Sequence, residues 1–442
     1  MRRTAALCFF ASILLSGSAL ASGYGLRDVS AATLGLSYAG DAANGSRAST
    51  LAFNPALAAD VGEFDVAISN VGLLPKTDGT FTATTAAGTP VAGITNPKDI
   101  VNTALIPAMA LRYRLTPTIA VGFTATAPWG MITDYGNTGV TRYYATMSDV
   151  KSANFSPVVS WQVLPELSIG GGLQVQYIKG RLAKAIDFGT LGYVNKIPGS
   201  VPGARDGFVE LRAQDWATGW TIGAEWKPTP NFSVGVSYKS KIENTLNGNE
   251  WFTLDSTGIG ATLKAVTGAF VNGPASAPFS NPDLVTFGAR WKLDPQWTIS
   301  VGGDWTGWSA FNTLTAHSHN PKQPDDVTVM NWQDSWFGSV GVEYKPSQLW
   351  TLRLGTAYDQ TPTTSGYRTP GIPDGGRYWI SGGIGYQLTQ HIDLDLSVAH
   401  LIAEKGNIAL KASDPGNAAR GSLTGSVNME VTLIGAEFSY HL

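Results

Sequence analysis

The sequence predicts an all-β membrane protein: a 14-stranded antiparallel transmembrane β-barrel with a small N-terminal plug containing short helices. Three observations carry this. The chain is 43% hydrophobic yet only 14% charged over its 442 residues, where soluble domains carry about 25% charged residues. Beyond the extreme N-terminus, no apolar run approaches the ~18 residues of a transmembrane helix, so the apolar residues must alternate along strands. Finally, short and long connections alternate along the whole string of predicted strands.

In chain order, residues 1–21 read as a signal peptide. Met1-Arg2-Arg3 is its basic start, Ala5–Leu15 its apolar core, and Ala19-Leu20-Ala21 its small-x-small cleavage site. The single cysteine, Cys8, falls inside this leader, so the mature chain has no thiol chemistry. Losing Arg2 and Arg3 leaves 28 basic against 33 acidic residues, a net charge of about −5 that offers no nucleic-acid footprint. Residues 22–62 are too polar and small for a membrane strand and too apolar for a tail, and are expected to plug the barrel formed by residues 63–442. Within the plug, Asn54 is suited to cap a short helix Pro55–Ala59, where the missing N–H of Pro55 costs nothing. Small residues such as Ala42, Gly45, Ala48 and Ala56 suit packing inside a barrel, and Arg27, Asp28, Asp41 and Arg47 are candidates to meet charges on its inner wall.

Strands are expected near 64–74, 104–114, 118–127, 152–162, 167–180, 214–226 and 231–244, then near 283–292, 296–308, 335–344, 349–359, 378–387, 391–401 and 429–442. Period-2 alternation is clear in several: Ile392, Leu394, Leu396 and Val398 oppose Asp393, Asp395 and Ser397. A soluble sandwich would alternate as well, but it has no reason to place every long connection at one end. Six connections are short, five of them with proline, and seven are long, which matches tight turns at one barrel rim and loops at the other. Aromatic residues flank the short turns (Tyr113, Trp161, Trp226, Trp291, Trp297, Tyr344, Trp350, Tyr386), as an interfacial girdle requires. With the apolar face in lipid, Arg112, Arg114, Glu225, Arg290, Lys292, Asp304, Glu343, Arg353, Asp393 and Asp395 share the inward parity. Their mixed signs read as a mutual pairing network rather than as direct substrate contacts.

No catalytic set reaches the threshold of a prediction. His317 and His319 sit in a long connection without the further ligands a metal needs, and Gly170-Gly171-Gly172 lies in a strand with no helix behind it, so it is read as a bend or bulge. No cofactor and no metal are expected, and no enzyme.

Several segments together resemble the FadL-type (OmpP1/FadL/TodX) transporters of the bacterial outer membrane. Leu34–Ala43 resembles the hatch of that family, and Asn54-Pro55-Ala56 its NPA motif. Ala127–Tyr135 is similar to its stretch after the third strand, with Trp129 in place of Phe. Tyr358–Pro362 and Ile372–Trp379 resemble its D-x-(S/T)-P and I-P-D-x-x-R-(F/Y)-W segments. The resemblance implies passive uptake of long-chain fatty acids by a monomer, gated by the hatch at Asn54, Pro55 and Ala56. Exit is implied to be sideways into outer-membrane lipid through a gap at a kinked third strand, here Gly122, Pro128, Trp129 and Gly130. The alternative is uptake of other hydrophobic small molecules, such as uncharged monoaromatic hydrocarbons. Lys179 and Arg181 resemble a carboxylate-binding stretch of the family, although strand parity sends both outward unless the strand bulges, where they would snorkel at the interface.

Overall fold

The computed structural model describes residues 23–442. The predicted leader with Cys8, and Ser22 of the plug, lie outside the described residues. Fourteen antiparallel strands close into one barrel. They are β1 (Phe64–Thr84), β2 (Ala104–Arg114), β3 (Ile119–Thr126, resuming as Gly130–Asp134), β4 (Met147–Leu164), β5 (Leu167–Asp187), β6 (Asp206–Thr229) and β7 (Phe232–Lys239, resuming as Ile242–Thr253). The second half supplies β8 (Gly273–Asn281, resuming as Leu284–Lys292), β9 (Trp297–Thr306), β10 (Ser335–Tyr344), β11 (Trp350–Asp359), β12 (Arg377–Thr389), β13 (Ile392–Ala403) and β14 (Ser422–His441). The ring closes where β14 pairs with β1 from Asp65↔His441 to Thr84↔Ser422. Closure matters because lipid offers no partner for an open sheet edge.

The predicted alternation sets the two faces. Leu173 and Leu396 are each 59% exposed toward lipid, whereas Gln176 is 0% and Asp395 1% exposed on the inner face. Rings gather at the short-turn rim, where Trp297 stacks on Tyr344 at 4.4 Å and Trp350 packs against Tyr386 at 4.5 Å. Several strands overrun their predicted ends: β1 continues to Thr84, β5 to Asp187, and β8 starts at Gly273. These extensions stand beyond the hydrocarbon zone, where an outward side chain meets water. The ladder therefore continues without the apolar alternation that marks it in the sequence.

Most of the inward charges do pair. Arg353 bridges Glu343 at 3.0 Å and Asp395 at 2.7 Å, and Arg290 reaches Glu343 at 3.3 Å. Lys292 and Arg114 are the exceptions among the described residues: Lys292 is exposed at the short-turn rim, and Arg114 donates to backbone carbonyls of Ala59 and Val61.

The N-terminal segment fills the lumen. It forms a single helical turn (Ala31–Leu34) and three 3-10 turns (Asp41–Ala43, Ala48–Ala52, Pro55–Asp60), so the turn expected at Pro55 is 3-10 rather than α. Its helical turns are too short to satisfy their own backbone, and the inner wall supplies the missing partners. Ser160 donates to the carbonyl of Ala56 at 2.8 Å, Ser233 to that of Ala43 at 2.9 Å, and Arg112 to those of Gly45 and Leu57. Glu437 accepts from Ser30 and Ser49 at 2.9 and 2.8 Å. Arg47 pairs with Asp393 at 2.8 Å and Asp395 at 3.1 Å. Glycine on the wall gives the segment room. A Cβ at Gly170 would lie 2.5 Å from the backbone of Pro55 and Ala56, and one at Gly235 would lie 1.8 Å from the carbonyl oxygen of Ala42. Gly170 thus also serves close approach of the plug.

Candidate functional site

A cavity lies between the N-terminal segment and the inner wall. Leu26, Phe53, Pro128, Trp129 and Trp308 make it largely apolar, and Arg27, Lys239, Asn154, Asn281 and Asp304 add polar points. An apolar chamber with a few fixed polar groups is the usual form of a small-molecule site. The rings of Tyr24, Trp129, Trp308 and Trp332 pack edge-on or tilted along one side, with centroids 4.8–5.8 Å apart.

The two cations of the cavity differ. Arg27 is engaged: it pairs with Asp304 at 2.7 Å and Asp359 at 3.3 Å, and lies 4.0 Å over the ring of Phe337. Lys239 ends the first part of β7, half-buried, and makes neither a hydrogen bond nor an ion pair among the described residues. Asp304, the acidic group of the cavity, is already held by Arg27. Burial also marks the N-terminal segment itself. It pushes the Asp28 carboxyl up to about 6 against a hydrogen bond from Tyr38, and Asp41 up to about 8 against one from Thr33. Neither carboxyl meets a wall charge within ion-pair distance among the described residues; Arg27 and Arg47 do.

The wall beside the cavity is interrupted. β2 and β3 pair from Arg114↔Ala120 to Met109↔Ala125, and the β3 ladder then breaks at Ala127–Trp129. Pairing resumes only at the isolated bridge Val101↔Thr133. Across the break, Pro107 of β2 and Pro128 cannot donate to a ladder. The N-terminal segment takes over part of the lost pairing: Leu26 N–H donates to the carbonyl of Pro128 at 2.7 Å and Gly130 N–H to that of Tyr24 at 2.9 Å. Ser152 of β4 caps the other side through the backbone of Trp129.

The predicted residues thus fall into three groups. Pro128, Trp129 and Gly130 form the interruption, and Gly122 lies below it, where a Cβ would meet the Leu51 side chain of the plug at 2.5 Å. Asn54, Pro55 and Ala56 sit deeper. Asn54 is fully buried, accepts the Ala56 N–H at 3.0 Å, and donates to the carbonyls of Ala42 and, on β6, Ala224. Lys179 and Arg181 are set apart. They keep the outward parity of Leu173, no bulge turns them inward, and Arg181 is bound to Glu210 at 2.6 Å; neither lines the cavity. Lys239 and Asn281 were missed as site residues. Lys239 was legible as inward by its parity with Ser233 and Ser237, whereas Asn281 fell inside a stretch taken for a long loop. The motifs Tyr358–Pro362 and Ile372–Trp379 also gain a place. Their Asp359, Asp374 and Arg377 are fully buried, Asp374 accepts the Gly23 N–H at 3.1 Å and pairs with Arg377 at 3.1 Å, and Asp359 holds Arg27.

A family profile described as outer membrane protein transport protein (OMPP1/FadL/TodX) matches residues 12–442. The chain belongs to this family. It is an outer-membrane transporter of hydrophobic compounds and not an enzyme. The long-chain fatty acid transport protein of Escherichia coli K12 is 23% identical over 410 residues, covering 88% of this chain and 89% of that protein. Among solved structures, a Pseudomonas aeruginosa FadL homologue superposes with a TM-score of 0.86 at 22% identity, covering 95% of this chain and 99% of that one. The Pseudomonas putida toluene transporter TodX superposes with a TM-score of 0.68 at 15% identity, covering 95% and 100%. At these identities the solved FadL-family structures speak for the shared fold.

Proposed function

We propose that this transporter takes up long-chain fatty acids by passive diffusion, as a monomer, with the segment at 22–62 acting as its hatch. The observation that carries the reading is Lys239. A cation left without a partner in an apolar chamber is costly to bury, and a carboxylate supplies what it lacks. An uncharged hydrocarbon does not. The acyl chain would lie against Leu26, Phe53 and Trp129, then leave through the interruption at Pro128, where it regains lipid at ~0.8 kcal/mol per buried CH₂. Because Tyr24 and Leu26 hydrogen-bond the broken strand, movement of the N-terminal segment and opening of the wall would be one event.

The ring cluster around Tyr24 favours a second reading, uptake of a monoaromatic compound, and one experiment separates them. Lipid extracted from the purified protein is identified by mass spectrometry, and uptake of labelled oleate and of toluene is followed in a deletion strain carrying wild-type or Lys239→Met protein. Fatty-acid transport requires an acid among the extracted ligands and oleate uptake lowered about tenfold or more in Lys239→Met, as expected when one charged hydrogen-bonding partner of about 1.5–3 kcal/mol is lost. Toluene uptake that exceeds oleate uptake and ignores the substitution would select the aromatic reading instead.

A further inference from the structure

The cavity holds a second unmet demand that a plain fatty acid does not answer. Asn281 ends the first part of β8, is 1% exposed and lines the chamber, yet neither its amide nitrogen nor its amide oxygen has a hydrogen-bond partner among the described residues. Asn154 of β4, 4% exposed and also lining the chamber, donates to Ser156 at 3.1 Å but leaves its oxygen without a partner. Its cross-strand neighbour Gln176 is fully buried with both amide atoms unpartnered. Buried amides left unmet beside an apolar chamber are rare in folded proteins and ask for a partner.

We propose that the cavity is built for oxygenated acyl chains, namely hydrophobic acids that carry a hydroxyl along the chain, with Asn281 and Asn154 as the partners of that hydroxyl. This rests on the reading of Lys239 as the carboxylate contact. The chemistry follows from the groups. A free amide offers both a donor and an acceptor, and a hydroxyl is the small group that is also both. A methylene leaves each unsatisfied, and a carboxylate is repelled by the free amide oxygen of Asn154. The spacing fits a substituent along the chain rather than at its head. Asn281 pairs with Ile242 and Lys239 with Leu284, on opposite sides of the interruption that the two strands share, so the two side chains leave the wall at separate points along the chamber.

The test is competition binding to the purified full-length protein in detergent, using octadecanoate and octadecanoates hydroxylated at carbon 3, 10 or 12. At least one hydroxylated isomer should bind about tenfold more tightly than octadecanoate. Asn281→Leu should erase that preference, bringing the hydroxylated isomers to the affinity of octadecanoate for the same variant, and Asn281→Ser, which restores a hydroxyl partner, should keep part of it. Heat-dependent gel mobility verifies that each variant is a folded barrel. Equal affinity for all four acids, or a preference unchanged in both Asn281→Leu and Asn154→Leu, overturns the proposal and leaves the fatty-acid reading intact. Failure of every acid to bind, with Lys239→Met indistinguishable from wild type, overturns the underlying reading instead.

Discussion

Asn54 shows how much of the N-terminal segment hangs on single side chains. Its oxygen caps the 3-10 turn at Ala56, and its nitrogen holds the carbonyl of Ala42 inside the segment and that of Ala224 on the wall. Asn54→Ala loses a cap worth about 1 kcal/mol and removes the side-chain donor from two buried carbonyls, at about 1–3 kcal/mol for each one left unsatisfied. The barrel itself, closed by β14 on β1, does not depend on these bonds. The expected variant is a barrel with wild-type heat-dependent gel mobility but a higher resting conductance in planar bilayers, and Asn54→Asp, which keeps only the cap, should fall between. Equal conductance in all three proteins would remove Asn54 from the gate. The cap was legible because Asn-Pro chemistry is local, contained in two adjacent residues. The bond to Ala224 was not, since it joins positions 170 residues apart. Lys179 and Arg181 illustrate the converse: the parity of β5 already pointed them outward, and the structure keeps them there, one bound to Glu210.

Among the elements, β3 departs furthest from regular barrel geometry, and the departure is built from chemistry visible in the sequence. Pro128 withholds a donor, so the break falls at Ala127–Trp129, within the kink read from Gly122–Gly130. What the sequence could not supply is the partner that covers it. Pairing of Gly25 with Trp129 depends on the fold of the whole lumen, and no local pattern encodes it. The bonds flanking that pair, Leu26 to Pro128 and Gly130 to Tyr24, make it a non-hydrogen-bonded antiparallel pair, whose Cα atoms sit about 4.5 Å apart. That separation lies inside the disulfide range. In the mature chain, expected to lack cysteine, Gly25→Cys with Trp129→Cys should therefore cross-link under oxidation. If the N-terminal segment must leave β3 before substrate exits, oxidised protein should lose most oleate uptake and a reductant should restore it. Full uptake with the link formed would mean that substrate leaves by another route.

For the whole molecule, strand number and faces were legible because lipid enforces a period of two, while the extensions of β1, β5 and β8 were not because water enforces nothing. The lumen answers to a different constraint, which gives the protein a pH dependence of predictable sign. Asp28 and Asp41 lie in the buried N-terminal segment with carboxyls held up to about 6 and about 8. For Asp41 burial is the first cause, and the neighbouring Asp304 and Glu437 add to it, against Thr33 and Arg290. A carboxyl whose folded value lies above its unfolded one binds more protons in the docked state. The contribution of these two carboxyls to docking is then greatest below about pH 4, the ordinary carboxylate value, and falls as pH rises through 6 and then 8. Asp374, which anchors Gly23, is shifted upward by burial as well and contributes with the same sign. Opening of the hatch should accordingly become more frequent between pH 5 and pH 9, seen as a rising open probability of single channels in planar bilayers. Asp41→Asn, neutral at every pH, should flatten the upper part of that rise, near pH 8, and leave the part governed by Asp28. A pH-independent open probability in wild type, or an unchanged slope in Asp41→Asn, would mean that these carboxyls do not control docking of the segment.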